Sequence, residues 1–292
     1  MVYSPLTRER VSVSRSLLLV EFLKRVYPAR YLVAKSTRLP IVGKAIGRFF
    51  FEDDNMVYLP RDDVVQAASQ GRVIEVQQAI DLPEDVVLPS QVVDHFIDQA
   101  NDLWIMNACL CRQSEQCEDY PIGLGCLFMG RAVHDINPAL GRLVTREEAK
   151  AHVRRCREAG LVHLIGRNKL DSMWLGATPG QQLLTVCSCC PCCCLFGVLP
   201  HLDAPLQKKI TRMPGVRVDV TDRCVGCGAC ARDVCFVDAI QMHDRRAQIG
   251  ESCVGCGRCV DVCPQQAIEI SGTDGPFVDQ AIARISSSVD IT

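Results

Sequence analysis

Cys224-Val-Gly-Cys227-Gly-Ala-Cys230, then Cys235, and later Cys253-Val-Gly-Cys256-Gly-Arg-Cys259 with Cys263-Pro264, decide how this chain is read. Each run is a C-x2-C-x2-C followed by a fourth cysteine a few residues on. A compact inorganic cluster held by four thiolates needs such spacing, with three ligands from one tight loop and one from farther along. Gly226, Gly228, Gly255 and Gly257 stand between the cysteines, where a missing Cβ lets the backbone wrap closely and turn amide N–H groups toward sulfur. The unit is duplicated. Cys224, Cys227 and Cys230 recur as Cys253, Cys256 and Cys259, and Ala239-Ile240 recurs as Ala267-Ile268.

Over residues 215–272 this pattern resembles a bacterial-type ferredoxin with two [4Fe-4S] clusters. In that family the fourth cysteine of each run ligates the other cluster. The resemblance therefore implies one cluster on Cys224, Cys227, Cys230 and Cys263, and another on Cys253, Cys256, Cys259 and Cys235. The first half departs from the family pattern: four residues separate Cys230 from Cys235, and Phe236 stands where proline is usual. Zinc sites or a disulfide framework are the competing readings of the same cysteines.

With 292 residues the chain has room for about two domains and a sizeable core. Nineteen cysteines without a clear secretory signal point to a reducing, cytoplasmic setting and to metal rather than disulfides. The formal net charge is −2, but its distribution is uneven. Residues 1–50 hold ten Lys/Arg against two acids, and residues 51–100 hold two against eleven. Because the basic residues stop at the acidic stretch, nucleic acid is not an expected partner.

Leu17-Leu-Leu-Val20 and Phe22-Leu23 form an apolar run too short to span a bilayer, which takes about 20 residues. Tyr27, Tyr31, Leu32, Leu39, Ile41, Ile46 and Phe49-Phe-Phe51 follow, interleaved with Arg30, Lys35, Arg38, Lys44 and Arg48. Two readings stand: a peripheral contact of residues 1–50 with an anionic membrane or acidic partner, and an amphipathic arm packed on its own domain or a neighbouring subunit. No small-residue cleavage pattern follows the apolar run, so a cleaved targeting peptide is not expected.

Pro60, Pro83 and Pro89 punctuate the next part, where Val64-Val65 and Val73–Val76 could be helical or strand elements. Ser90 is placed to cap a helix carrying Val93, Phe96, Ile97, Ala100, Leu103 and Trp104 at helical spacing. A second cysteine constellation follows: Cys109-Leu-Cys111-Arg112, then Cys117 and Cys126. An extended C-x-C directs both sulfurs to one face, and Cys117 and Cys126 complete a four-thiolate set, with Arg112 and Arg131 available to offset its charge. Reduced core thiols beside a turn are the alternative.

Thr145-Arg-Glu-Glu148 is a capping box, Ala149, Val153 and Cys156 make an apolar stripe, and Gly160 closes the helix. His152 and Cys156 share a face; the reading is a solvated imidazole beside a small core residue rather than a metal pair. Leu161–Ile165 and Gln182–Val186 read as strands around the loop 168–180. Cys187-Ser-Cys189-Cys190-Pro191-Cys192-Cys193-Cys194 then offers more thiols than one site can use. Cys187, Cys189 or Cys190, and Cys192 or Cys193 are the expected ligands, because so many adjacent free thiols would be an oxidation hazard. Folded against Cys109–Cys126, they would supply ten thiols, enough for one or two further iron–sulfur clusters. Coupling a C-x-C-R segment and a cysteine-dense segment to a terminal ferredoxin unit resembles little-described iron–sulfur proteins of anaerobic bacteria and archaea.

Pro200, Pro205 and Pro214-Gly215 mark a linker, and Val216–Val220 alternates as a strand. The expected organisation is an α+β chain: a basic arm (1–59), a cysteine-rich domain (60–199), a linker (200–214), the ferredoxin unit (215–272) and a tail (273–292) with a short helix around 278–285. The expected function is single-electron relay to or from a redox enzyme or another electron-transfer protein. An iron–sulfur reductase fed by the ferredoxin unit, and a redox or iron sensor, are the alternatives. No acid/base or nucleophilic set stands out, and no Gly-rich nucleotide loop follows a strand.

Overall fold

Side-chain alternation along the strands gives one sheet two unlike faces, and that difference positions the cysteines. The structure, a computed structural model, describes residues 6–66, 88–272 and 277–292. In chain order its strands are β1 (Asn55–Tyr58), β2 (Val65–Gln66), β3 (Leu103–Met106), β4 (Leu127–Met129), β5 (Gly141–Leu143), β6 (Val162–Arg167), β7 (Leu184–Cys189), β8 (Ile210–Arg212), β9 (Val216–Val220), β10 (Ile240–His243), β11 (Arg246–Ile249) and β12 (Ile268–Gly272). Seven form a sheet in the order β5-β3-β4-β7-β6-β1-β8, antiparallel except for the parallel pair β1–β8. With helices on both its faces, the chain is α+β, as its sequence implies.

One face carries Val57, Ile105, Leu127, Met129, Ile165, Leu184 and Val186, packed on the helices Ser90–Gln99, Arg146–Glu158 and Phe277–Ser286. The intervening residues point the other way: Met56 and Tyr58 of β1, Leu164 of β6, and Cys187 and Cys189 of β7 share a second apolar layer. Over this face lie the amino-terminal helices Leu6–Val26, Arg30–Ser36 and Pro40–Phe50. Tyr27 O–H donates to Cys193 O at 2.7 Å, and the Asp203 N–H donates to the Thr37 hydroxyl at 3.0 Å. The basic arm thus packs on the chain's own cysteine-bearing layer.

The carboxy-terminal unit pairs β9 with β12 in antiparallel register, and β2 adds to the other edge of β12 in parallel. The β10–β11 hairpin turns through Asp244 and Arg245, both at positive φ, the backbone that a tight two-residue hairpin turn requires.

Several local expectations are met. Thr145 and Glu148 form a reciprocal capping box, Gly160 takes φ +75° after the helix, and the terminal helix runs Phe277–Ser286. Thr145→Ala is expected to cost about 1 kcal/mol of stability, measured by urea unfolding, because the Glu148 N–H loses the hydroxyl that accepts from it.

Two expectations are corrected. Ser90 lies inside the first turn, with Pro89 at the cap position, so its side chain does not cap. The same helix ends at Gln99; Ala100 is extended at ψ 137°, and Leu103 and Trp104 belong to β3, whose four residues are all buried. A strand buried on both faces shows no alternation, which made it read as a helical continuation. The stretch 200–214 carries the helix Ala204–Gln207 and β8. Val64 lies in a single helical turn and Val65 in β2, while Val73–Val76 fall outside the described residues.

Candidate metal centres

In the duplicated unit, each crosswise set of four cysteines surrounds its own small cavity. Cys224, Cys227, Cys230 and Cys263 line one, and Cys235, Cys253, Cys256 and Cys259 line the other. Gly226 is at φ +71° with a hypothetical Cβ only 2.1 Å from Arg245 O, so the first loop tolerates no side chain there. Backbone amides reach sulfur in matching places of the two halves: Ala239 N–H to Cys235 Sγ and Ala267 N–H to Cys263 Sγ, both 3.2 Å. The extra residue of the first half is absorbed at Asp233, which adopts φ +56°. Amides of Ala247 and Gly226 lower the pKa of the Cys224 thiol, whereas burial pushes Cys256 up to about 11. A metal must therefore displace protons from the more buried, inner set of Cys235, Cys253, Cys256 and Cys259, whereas Cys224, Cys227, Cys230 and Cys263 form the outer set.

The upstream cysteines divide into two groups. Cys117, Cys190, Cys192 and Cys193 bring their sulfurs within 4.8 Å of one another. Cys117 Sγ is 3.6 Å from Cys192 Sγ, Cys192 and Cys193 are 3.5 Å apart, and Cys193 N–H points at Cys190 Sγ at 3.4 Å. Cys109, Cys111, Cys126, Cys187, Cys189 and Cys194 instead line a cavity of about 300 Å³ beneath the amino-terminal helices. Cys109–Cys126 thus do not form one set. Cys117 turns to the cysteine-dense loop while its three companions face the cavity.

The expected extended C-x-C at Cys109–Cys111 is also corrected, since Cys109 caps and Cys111 lies inside the helix Leu110–Ser114. The alternation argument applies instead to Cys187-Ser-Cys189, which lies in β7. Cys194, at the start of the helical segment Leu195–His201, was not singled out from the sequence; its place follows only from the fold. All nineteen cysteines are free thiols, and the 3.8 Å between Cys126 Sγ and Cys187 Sγ far exceeds a disulfide bond.

Arg112 tests whether these thiols suit an anionic centre. Its side chain is fully buried, it donates to Ser188 O at 2.8 Å and to Leu124 O, and its Nε has no partner among the described residues. The groups around its charge are Cys109, Cys190 and Cys126. A buried cation needs anions, and thiolates on a metal core would supply them. The Cys111 contact and the Arg112 guanidinium lower Cys109 to about 6, against the effect of burial. The contact with Cys189, and then burial, push Cys194 well up. Arg131, expected to share this charge role, is exposed and does not line the cavity.

His152 is buried rather than solvated. Its Nε2 lies 2.9 Å from Gly125 O and 3.7 Å from Cys156 Sγ, and burial lowers its pKa. Burial likewise pushes Cys156 up to about 11. Cys156 packs in a small cluster with Leu161, Cys190 and Cys193, against which Cys117 lies.

The thiol groups adjoin one another. Cys224, Cys230 and Cys263 share an apolar cluster with Cys259, and Cys235, Cys253 and Cys256 share another with Cys189 and Cys194. Cys190 both lines the large cavity and belongs to the upstream foursome. Exposed Cys227 and exposed Cys192 mark the two ends of this series.

A family model described as a 4Fe-4S binding domain matches residues 249–269, which include Cys253, Cys256, Cys259 and Cys263. No curated protein and no solved structure matches the chain. Among the described residues no helix is long and apolar enough to cross a membrane. With that match and its cysteine-rich upstream region, the chain is an iron–sulfur protein carrying a 4Fe-4S binding domain at residues 249–269.

Proposed function

We propose that this protein relays single electrons to or from a redox enzyme. Cys224, Cys227, Cys230 and Cys263 would hold one [4Fe-4S] cluster, Cys235, Cys253, Cys256 and Cys259 a second, and Cys117, Cys190, Cys192 and Cys193 a third. Bound there, such clusters supply one-electron chemistry, at potentials within about −700 to +450 mV. The supporting observation is contiguity: the thiol groups follow one another from exposed Cys227 to exposed Cys192 through shared apolar clusters, with buried Arg258 and Arg112 beside the thiols. The chain's part is to exclude water and to turn Ala239, Gly255 and Ala267 N–H groups toward sulfur. Anaerobic purification with iron and sulfide counting and low-temperature EPR tests this. About eight irons with signals from two interacting clusters are expected from the carboxy-terminal unit, and a zinc-loaded unit refutes the reading.

The docking face in this proposal is the arm. Leu18, Phe22, Leu32, Ile41 and Phe49 are exposed beside exposed Arg25, Lys35, Lys44 and Arg48, a combination suited to an anionic membrane surface. Replacing Ile41 and Phe49 together by glutamate is expected to abolish co-sedimentation with phosphatidylserine vesicles while iron content stays unchanged. Undiminished vesicle binding by that variant would remove the arm from this role.

A further inference from the structure

Seven cysteines line one cavity, and the six left when Cys190 is counted with the upstream foursome still exceed what a single zinc ion or a single cubane uses, since each takes four protein ligands. The six come from four separate segments. Cys109 and Cys111 sit at the start of the helix Leu110–Ser114, Cys126 precedes β4, Cys187 and Cys189 share one face of β7, and Cys194 begins the next helical segment.

All six line the same cavity beneath the amino-terminal helices, and Cys187 and Cys189 reach it from one face of β7. Cys126 and Cys187 are 3.8 Å apart at sulfur. Such an arrangement, with a fully buried Arg112 facing Cys109 and Cys126 and no carboxylate paired to it among the described residues, is poorly accounted for as a set of packing thiols.

We infer that the six cysteines form one site for a polynuclear iron–sulfur cluster larger than a cubane, with Cys194 among its ligands. This rests on the electron-relay reading and adds a centre to it. Soft thiolate donors also suit copper(I) and zinc, so metal identity is part of the claim.

The surroundings fit a redox centre linked to the carboxy-terminal unit. Tyr58 directs its hydroxyl to Cys189 Sγ at 4.0 Å, and its ring lies 5.6 Å from the ring of Phe236, next to Cys235. Phe236 thus has a role at the position where the ferredoxin pattern has proline: it fills the space between two thiol groups. On the other side, Arg258 donates to Cys189 O at 2.7 Å while its charge faces Cys256.

The test uses the whole chain purified without oxygen. Iron, sulfide, zinc and copper are counted in the native protein and in two paired variants, Cys187→Ser with Cys194→Ser, and Cys111→Ser with Cys126→Ser. Each pair is expected to lose the same iron, amounting to more than the ~4 of a cubane, while the EPR signals of the carboxy-terminal unit persist and report a folded protein. A loss of about four irons or fewer, unequal losses from the two pairs, or zinc or copper in place of iron overturns the six-thiol site alone. Absence of the carboxy-terminal signals from the native protein overturns the relay reading beneath it.

Discussion

Arg112→Met is expected to strip iron from the proposed upstream sites while leaving the proposed carboxy-terminal clusters in place. Methionine keeps much of the volume of a side chain with no exposed surface but removes the guanidinium charge that faces Cys109, Cys126 and Cys190. Breaking a buried charge pairing by removing one partner costs about 3–5 kcal/mol, because the remaining charges stay buried without compensation. Two backbone carbonyls, Ser188 O and Leu124 O, lose their donor at the same time. Upstream thiolates would then reprotonate rather than hold metal. Iron per chain and urea unfolding measure the outcome, and Arg112→Lys should recover only part of it, since a point charge cannot span both carbonyls. A methionine variant with full iron content would show that the guanidinium has no part in metal binding.

Cys256→Ser is the second large effect. Cys256 belongs to the inner set and shares an apolar cluster with Cys189 and Cys194, so it stands at the junction of the two halves. Burial holds its thiol up at about 11, and a serine hydroxyl is a still poorer ligand at neutral pH. The variant is expected to lose about four irons and the magnetic interaction between the carboxy-terminal clusters, while the outer set, whose Cys224 thiol is lowered by backbone amides, keeps its own signal. An unchanged low-temperature EPR spectrum would refute the role of Cys256 as a ligand.

The carboxy-terminal unit was legible because its information is local. Three cysteines and two glycines fall within seven residues, so the ligand spacing is written in one segment, and the duplication states it twice. Even its irregularity could be read, as an extra residue that the structure absorbs at Asp233. The upstream thiol groups are legible in the sequence only as an inventory of cysteines. Cys117 meets Cys192 across 75 residues, and Cys126 meets Cys187 across 61, so no spacing within one segment reveals either pairing. An extended C-x-C does direct two sulfurs to one face, but the chain realises it at Cys187 and Cys189 in β7, while Cys109 and Cys111 are claimed by a helix. His152 read as solvated because a polar residue beside an apolar stripe normally is; Gly125 O, offered inside the core, reverses that.

The short pairing of Val65 and Gln66 with Ile270 and Ser271 has one more implication. A fragment containing only the terminal unit would present β12 with an uncovered border, open to association with any extended peptide. Gly257, whose hypothetical Cβ would sit 2.5 Å from Val64, would lose the neighbour that confines it. The carboxy-terminal unit is therefore not a detachable cartridge. During synthesis the early segment around residue 65 must wait for a strand made some two hundred residues later, and the molecule's two halves mature together.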